Sequence, residues 1–178
     1  MRPWVTLFSQ TGSDIYNVSK ALKKAPDVII TNKLIENIDT INQNLLDEFF
    51  DRIIFLPPNK PTIEEYLTAI PENSFVTLHG WLRIVPPEIC DKFEIYNLHP
   101  APLSKYEFLK GKDPQIRTFN MGLEYSGNTI HKCIPELDAG EILAENSFSV
   151  KGYTLDQIFK ETHREASNLW CQFLKDRL

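Results

Sequence analysis

No apolar run among these 178 residues approaches the roughly 20 residues that a membrane-spanning helix needs. The opening WVTLF is likewise far too short for the apolar core of a secretory signal. Cysteine is scarce: Cys90, Cys133 and Cys171 lie about forty residues apart with no C-x-x-C spacing, a pattern that argues against a zinc site. An odd count without a signal peptide fits a reducing compartment, so a cytoplasmic protein is expected. No cysteine has an activating neighbour in sequence, and each reads as small core filler. Excess positive charge is missing too. The formal net charge is -5, with 19 basic residues scattered among 24 acidic ones. That balance argues against a nucleic-acid platform. There is no internal repeat, low-complexity tract or linker.

What is present is ordinary globular material, 42% hydrophobic and 24% charged, in a chain long enough to hide roughly 70% of its unfolded surface. A single domain over residues 1–178 is the simplest expectation. WVTLF, SQTGSD and IYNVSKALKK read as strand, turn and amphipathic helix. DVIITN is a near-continuous apolar run of the kind found in parallel strands covered on both faces, IIFLPP reads as a third strand, and NQNLLDEFFDRI between them has helical spacing. Thr62 with Glu65 forms a capping box that opens a helix. SFVTLHG reads as a fourth strand, Pro86-Pro87 starts a short helix, and EIYNL is a fifth strand. Beyond Asn97, SGNTIHKCIP and AGEILAENSFSV alternate like strands with one solvated face. Thr154 with Gln157 opens a long closing helix whose apolar stripe runs from Leu155 to Leu174. The fold class is therefore α/β: a mostly parallel twisted sheet with helices on both faces and an antiparallel extension near the C-terminus.

In a doubly wound sheet the ligand lies beyond the carboxyl ends of the strands. Three polar groups fall at such ends: the loop 9–14, the stretch His79 to Arg83, and Asn97 with His99. Asn97 and His99 are two apart and share a face. A carboxamide can donate to an oxyanion and an imidazole can move a proton, yet both also serve as turn residues before proline. SQTGSD lacks the glycine spacing of a dinucleotide fingerprint and the Gly-Lys pair of a P-loop. It reads either as a phosphate cradle with Gly12 allowing close approach, or as a plain helix cap by Ser13 or Asp14. Asp138 in PELDAGEI is a carboxylate held by a turn, in a site or in an Asx-turn. His131, sharing a face with Thr129 and Cys133, reads as a core or supporting histidine. His79 and His163 read as structural.

Asn97-x-His99-Pro100 followed by SGNTIHKCIPELDAGEIL with Asp138 resembles the folate-dependent formyltransferases, most closely the glycinamide ribonucleotide formyltransferases. VTLFSQTGSDI resembles that family's first strand and phosphate loop, VIITNK its second strand, and LHGWLRIVPPEI its folate-contacting stretch. The resemblance implies a Rossmann-like fold and formyl transfer from 10-formyltetrahydrofolate to a primary amine, as in purine biosynthesis, with no metal. It places Asn97, His99 and Asp138 in the catalytic positions. Asn97 would hydrogen-bond the oxyanion, a protonated His99 would stabilise it, and Asp138 would keep His99 charged and relay protons. Trp81, Leu82, Arg83, Ile84 and Val85 would line the pterin pocket, with Glu136, Leu137, Ala139 and Gly140 reading the pterin edge. Gly12 and Ser13 would hold the acceptor's phosphate, beside Asp14 where the family has asparagine, and His131 would support the site from behind.

The sequence departs from that pattern after His99. APLSKYEFLKGKDPQ lacks the family's proline and inserts several residues before Gly111, placing Lys105, Lys110, Lys112 and Arg117 where an anionic acceptor could be met. The implied partner is a small phosphorylated amine, for a monomer or homodimer. Nucleic acid and membrane are not expected. Methionyl-tRNA formyltransferases share the Asn-His-Asp core but carry an additional nucleic-acid-binding domain. Formyltetrahydrofolate hydrolases, sugar-nucleotide N-formyltransferases and a non-catalytic folate-binding relic are the other readings, separable by which acceptor, if any, drives turnover.

Overall fold

The computed structural model describes residues 1–178, and the chain divides into two compact units, 1–97 and 98–178. The first unit is built on parallel strands β1 (Trp4–Phe8), β2 (Val28–Thr31), β3 (Ile53–Phe55), β4 (Phe75–Leu78) and β5 (Glu94–His99), in the order β3-β2-β1-β4-β5. β5 pairs with β4 as far as Asn97 and ends at His99, inside the second unit. Every residue of β1 and β4 is buried, including Thr6 and Thr77, as expected of parallel strands covered on both faces.

Helix α1 (Ser13–Leu22) follows β1, α2 (Gln43–Phe49) precedes β3, and α3 (Ile63–Ala69) and α4 (Pro87–Lys92) flank β4. Phe8, Ile15, Ile29, Ile41 and Leu45 make one core cluster from β1, α1, β2 and the start of α2. The capping box of α3 is formed at both of its bonds: the Glu65 amide donates to Thr62 Oγ1 at 3.2 Å, and the Thr62 amide to Glu65 Oε2 at 2.7 Å. Sequence order runs outward from β1 to β3 on one side and through β4 to β5 on the other. The switch between the two directions therefore falls between β1 and β4, the position where open α/β sheets bind ligands.

The second unit holds the antiparallel strands β6 (Tyr125–Lys132) and β7 (Ile142–Ser149), in register from Tyr125 opposite Ser149 to Ile130 opposite Ala144, with a register shift before His131, which pairs with Ile142. Against them lies α6 (Leu155–Leu174), capped by Thr154 and Gln157 as the sequence predicts, with Ile158, Thr162, Ala166, Leu169, Trp170, Phe173 and Leu174 buried. Two features escape the sequence reading. Residues 101–111 are an ordered segment around Ala101, Leu103 and Leu109, with a 3-10 turn at Glu107–Leu109. A further helix, α5 (Pro114–Asn120), starts on a proline after Asp113 and is too short for helical periodicity to reveal. No helix is long and apolar enough to cross a membrane.

Candidate active site

At the switch point of the first unit, the loops after β1 and β4 are laced together. The Ser9 amide donates to the Gly80 carbonyl at 3.1 Å, and the Leu82 amide to Ser9 Oγ at 3.0 Å. Gly12 sits at φ +73, and a Cβ there would stand 2.5 Å from Leu45 Cδ2, so backbone and space both favour glycine. Neither Ser13 nor Asp14 caps α1, whose N-cap is Gly12 without a side-chain bond. Ser13 Oγ meets Thr11 Oγ1 and accepts from Asn42 Nδ2. Asp14 Oδ2 instead lies 2.6 Å from Nδ1 of His79, a side chain with no solvent exposure. His79 Nε2 meets Thr77 Oγ1 at 2.9 Å, and that oxygen also accepts from Trp4 Nε1 at 3.0 Å. Because a carboxylate can only accept, Nδ1 carries the hydrogen that Asp14 receives, while the Thr77 hydroxyl, which accepts from Trp4, has both a donor and a second lone pair to offer Nε2. His79 is structural, as read, but its carboxylate partner is 65 residues away and nothing local in the sequence announces it.

The stretch 81–85 splits by face. Trp81 and Val85 are buried, with Trp81 Nε1 donating to the Tyr66 hydroxyl at 3.2 Å and its ring edge-on to Tyr66. Leu82 and Ile84 stand 61% and 66% exposed, two large apolar side chains left outside the core. Arg83 reaches the Pro58 carbonyl.

The second unit gathers His99, His131 and Asp138, all buried. β5 delivers His99 at its last residue and β6 delivers His131. Asp138 occupies the left-handed backbone region at φ +53, a conformation that aspartate accepts more readily than most residues. The turn closes tightly: a Cβ on Gly140 would come within 1.7 Å of the Lys132 carbonyl oxygen, which explains the glycine of the Asp-Ala-Gly run. The Ala139 amide donates to the Glu136 carbonyl, while Glu136 and Leu137 are exposed. Asp138 then lies between two imidazoles. His99 Nδ1 is 3.4 Å from Oδ2 and His131 Nε2 is 3.5 Å from Oδ1, while the Gly111 amide donates to Oδ2 at 3.0 Å. His131 Nδ1 donates to the Lys132 carbonyl at 3.1 Å. Thr129, on the same strand, instead ties down the start of the next segment: its hydroxyl lies 2.7 Å from the Ala101 carbonyl and accepts the Leu103 amide.

Burial pushes against a charged Asp138, but the bond from His131, the charge interaction with His99 and the Gly111 amide outweigh it and hold its pKa below the ordinary 3.8. For His99 the balance falls the other way. Burial lowers its pKa below 6.5, and the opposing attraction of Asp138 and the bond to the Leu109 carbonyl do not restore it. Asp138 does favour the charged imidazole, as expected, but desolvation by burial opposes it more strongly, so the His99 pKa lies below its ordinary value. Its tautomer is fixed, because Nε2 lies 2.8 Å from the Leu109 carbonyl, which can only accept. The lone pair is left on Nδ1. At 3.4 Å the pair is longer than the roughly 2.7–2.9 Å of a formed charge-assisted bond, so Nδ1 and Asp138 are poised to receive a proton.

The basic residues after His99 are mostly spoken for. Lys105 Nζ lies 4.4 Å over the Tyr125 ring, Lys110 pairs with Glu107, and the Arg117 guanidinium donates to the carbonyls of Phe108, Leu109 and Lys110. Arg117 is thus a backbone clamp.

Comparison with known proteins gives these geometries a context. A sequence model of the formyl transferase family matches residues 58–174. The methionyl-tRNA formyltransferase of Thermotoga sp. (strain RQ2) is 30% identical over 70% of this chain and 40% of its own length. The chloroplastic phosphoribosylglycinamide formyltransferase of Arabidopsis thaliana is 33% identical over 55% of this chain and 35% of its own. The chain thus spans 35–40% of the length of such relatives. Among solved structures, the phosphoribosylglycinamide formyltransferase of Anaplasma phagocytophilum superposes with TM-score 0.83 at 22% identity, over 98% of this chain and 86% of that one. A formyltetrahydrofolate deformylase from Pseudomonas syringae pv. tomato str. DC3000 superposes with TM-score 0.73 at 18% identity, over 98% of this chain and 61% of that one. The fold is the one those structures share, and, with more than half of its residues matched by the family's sequence model, this chain belongs to the formyl transferase family.

Proposed function

We propose that this chain transfers the formyl group of 10-formyltetrahydrofolate to a primary amine of a small phosphorylated acceptor resembling glycinamide ribonucleotide, with residues 1–178 as one cytoplasmic catalytic domain. The observation that carries the reading is the buried carboxylate between two imidazoles, with His99 Nε2 held by the Leu109 carbonyl and Nδ1 facing Asp138. Attack of the amine nitrogen on the formyl carbon forms a C–N bond and a tetrahedral oxyanion. Asn97, on the same face of β5 as His99, donates its side-chain N–H to that oxyanion. The nitrogen that has attacked must lose a proton. His99 Nδ1 takes it, directly or through water, and becomes an imidazolium whose contact with Asp138 closes into a charge-assisted bond. That stabilisation exists only after the proton has moved, which is where catalysis needs it. Collapse breaks the bond from the formyl carbon to the folate N10, and the proton held at His99 goes to that departing nitrogen.

Leu82 and Ile84 offer exposed apolar surface for the pterin, and the backbone of 136–140, with Glu136, Leu137, Ala139 and Gly140, offers its polar edge. Gly12 and Ser13 receive the acceptor's phosphate at the head of α1. Asp14, already engaged with His79, contributes a fixed negative boundary there and favours a hydroxyl over a second phosphate.

Purified protein incubated with 10-formyltetrahydrofolate, with and without glycinamide ribonucleotide, tests the proposal by folate consumption and by mass analysis of the acceptor. Acceptor-dependent consumption with a formylated product is expected. The matches to methionyl-tRNA formyltransferases favour a second acceptor, methionyl-tRNA, which forms a third arm. Consumption without any acceptor would instead identify a hydrolase, and folate binding without turnover in every arm would reduce the chain to a binding module.

A further inference from the structure

The mechanism above uses His99 as a base with its hydrogen on Nε2 but leaves open what holds the acceptor of that hydrogen in place. The acceptor is a backbone carbonyl in the segment where this sequence departs from the family pattern. That carbonyl, of Leu109, also accepts from Arg117 Nη2 at 2.9 Å, and the same guanidinium takes the Phe108 carbonyl through Nη1 at 2.8 Å and the Lys110 carbonyl through Nη2 at 2.7 Å. Three successive carbonyls converge on one planar cation, a fork geometry that a lysine ammonium cannot reproduce. The next residue, Gly111, turns its amide onto Asp138 Oδ2. Its φ of +86 suits glycine, and open space surrounds it. Leu109 itself is fully buried among Ala101 and Leu103, so the segment is seated from the side-chain direction as well. Arg117 Nε, by contrast, is buried with no hydrogen-bond partner. The clamp therefore keeps a desolvated donor unsatisfied, which ordinarily costs free energy and persists where the arrangement serves another end.

We propose that Arg117 is a positioning residue for the proton-transfer pair: by holding the carbonyls of 108–110 it places the Leu109 carbonyl on His99 Nε2 and the Gly111 amide on Asp138, and so fixes which nitrogen of His99 is the base. It touches no reacting atom. Its charge acts in the same sense, since the cation disfavours a second positive charge on His99. This inference rests on the reading of His99 as the base, but its central statement, the tautomer and its dependence on Arg117, is measurable without any substrate.

The test is long-range nitrogen–proton NMR of protein labelled with 15N-histidine, with the His99 signals assigned by their loss in His99→Gln. In the wild type at neutral pH, His99 is expected as the neutral Nε2–H tautomer. In Arg117→Met, which keeps much of the stem and removes the fork, the two nitrogen shifts should move toward each other as the tautomers mix. Arg117→Lys should restore the charge but not the tautomer. Formyl transfer should fall at least ~10-fold in kcat with little change in the KM for folate, a part of the ~100- to 10,000-fold that positioned acid–base groups supply. An unchanged His99 tautomer in a folded Arg117→Met overturns the proposal. So does a wild-type spectrum showing Nδ1–H or an imidazolium, which needs no variant to fold. A wild type that shows the tautomer, loses it in Arg117→Met and yet transfers no formyl group upholds the positioning role while removing the proposed function.

Discussion

Each unit of this molecule contains a buried histidine facing an aspartate, and the two pairs are built to opposite ends. In the first unit His79 and Asp14 are 2.6 Å apart, and the other ring nitrogen is bonded to Thr77, which Trp4 in turn engages. Both ring nitrogens have close partners, so the pair ties the head of α1 to the end of β4 and has no slack in which to move a proton. In the second unit His99 and Asp138 stand 3.4 Å apart, and the carboxylate is shared with His131 and the Gly111 amide. Here the contact is loose, burial lowers the pKa of the imidazole, and the pKa of the carboxyl is held below its ordinary value. A short, satisfied pair stores stability in the ground state. A long one, fixed by its surroundings and not by its own bond, keeps its strongest interaction for the moment a proton arrives.

The largest expected effect comes from neutralising the loose pair. Asparagine tolerates the left-handed backbone of residue 138 and still offers Gly111 an acceptor, so Asp138→Asn removes charge and little else. Turnover should fall at least ~100-fold with folate binding nearly intact. Equal losses of binding, by fluorescence titration, and of rate, by stopped assay, would make Asp138 a structural residue and erase the contrast between the pairs.

Next comes the turn that carries Asp138. Gly140→Ala places a methyl group 1.7 Å from the Lys132 carbonyl oxygen and 2.7 Å from its carbon, and backbone on both sides leaves no flexible atom to yield. The expected cost is about 1–3 kcal/mol in urea unfolding, together with lost turnover as residue 138 shifts off His99. A stable variant with full activity would show that the turn adapts, and that the geometry of Asp138 is not what its rate depends on.

Much of this was legible in the sequence, for physical reasons that differ by region. Buried parallel strands announce themselves as apolar runs, and the capping boxes at Thr62 and Thr154 are local devices written within four residues, so β1 to β5, α3 and α6 fall where the pattern puts them. Asn97, His99 and Asp138 stood out because polar groups at strand ends in a family-like order are rare. The partners that decide their chemistry did not stand out. The Leu109 carbonyl and the Gly111 amide are backbone groups with no residue signature, and Arg117 looked like one of four basic residues awaiting an anion until its three carbonyls were seen. The lowered pKa of His99 is hidden for the same reason: a neighbouring carboxylate is visible in a motif, whereas desolvation is a property of the packed molecule.

A smaller effect should follow from cutting the tight pair. Asp14→Ala deprives a wholly buried ring of its 2.6 Å acceptor, and the expected loss is about 1–3 kcal/mol of stability. kcat at saturating acceptor should stay near wild type while the acceptor's KM rises, because the residue borders the proposed phosphate cradle without touching the transferred proton. A fall in kcat comparable to that of Asp138→Asn would mean that the first pair also serves the chemistry.

The subtlest test is pH. The folded-state pKa of His99 lies below its ordinary 6.5, so between those two values the unfolded chain binds a proton that the folded chain refuses. Stability is therefore full above pH 6.5 and is lost as pH falls from there toward the folded value. Asp138, held below 3.8, adds stability above that value that disappears only at more acidic pH, as its folded pKa is crossed. Urea midpoints measured from pH 8 to pH 5 should decline below about 6.5 in the wild type and decline less in His99→Gln, which has nothing to protonate there. The acid limb of kcat/KM should likewise lie below 6.5, where the base on Nδ1 is lost. A limb above 6.5, with stability rising as pH falls through it, would mean that Asp138 outweighs burial after all and that imidazolium is the resting form. The loose pair would then differ from the tight one in length alone.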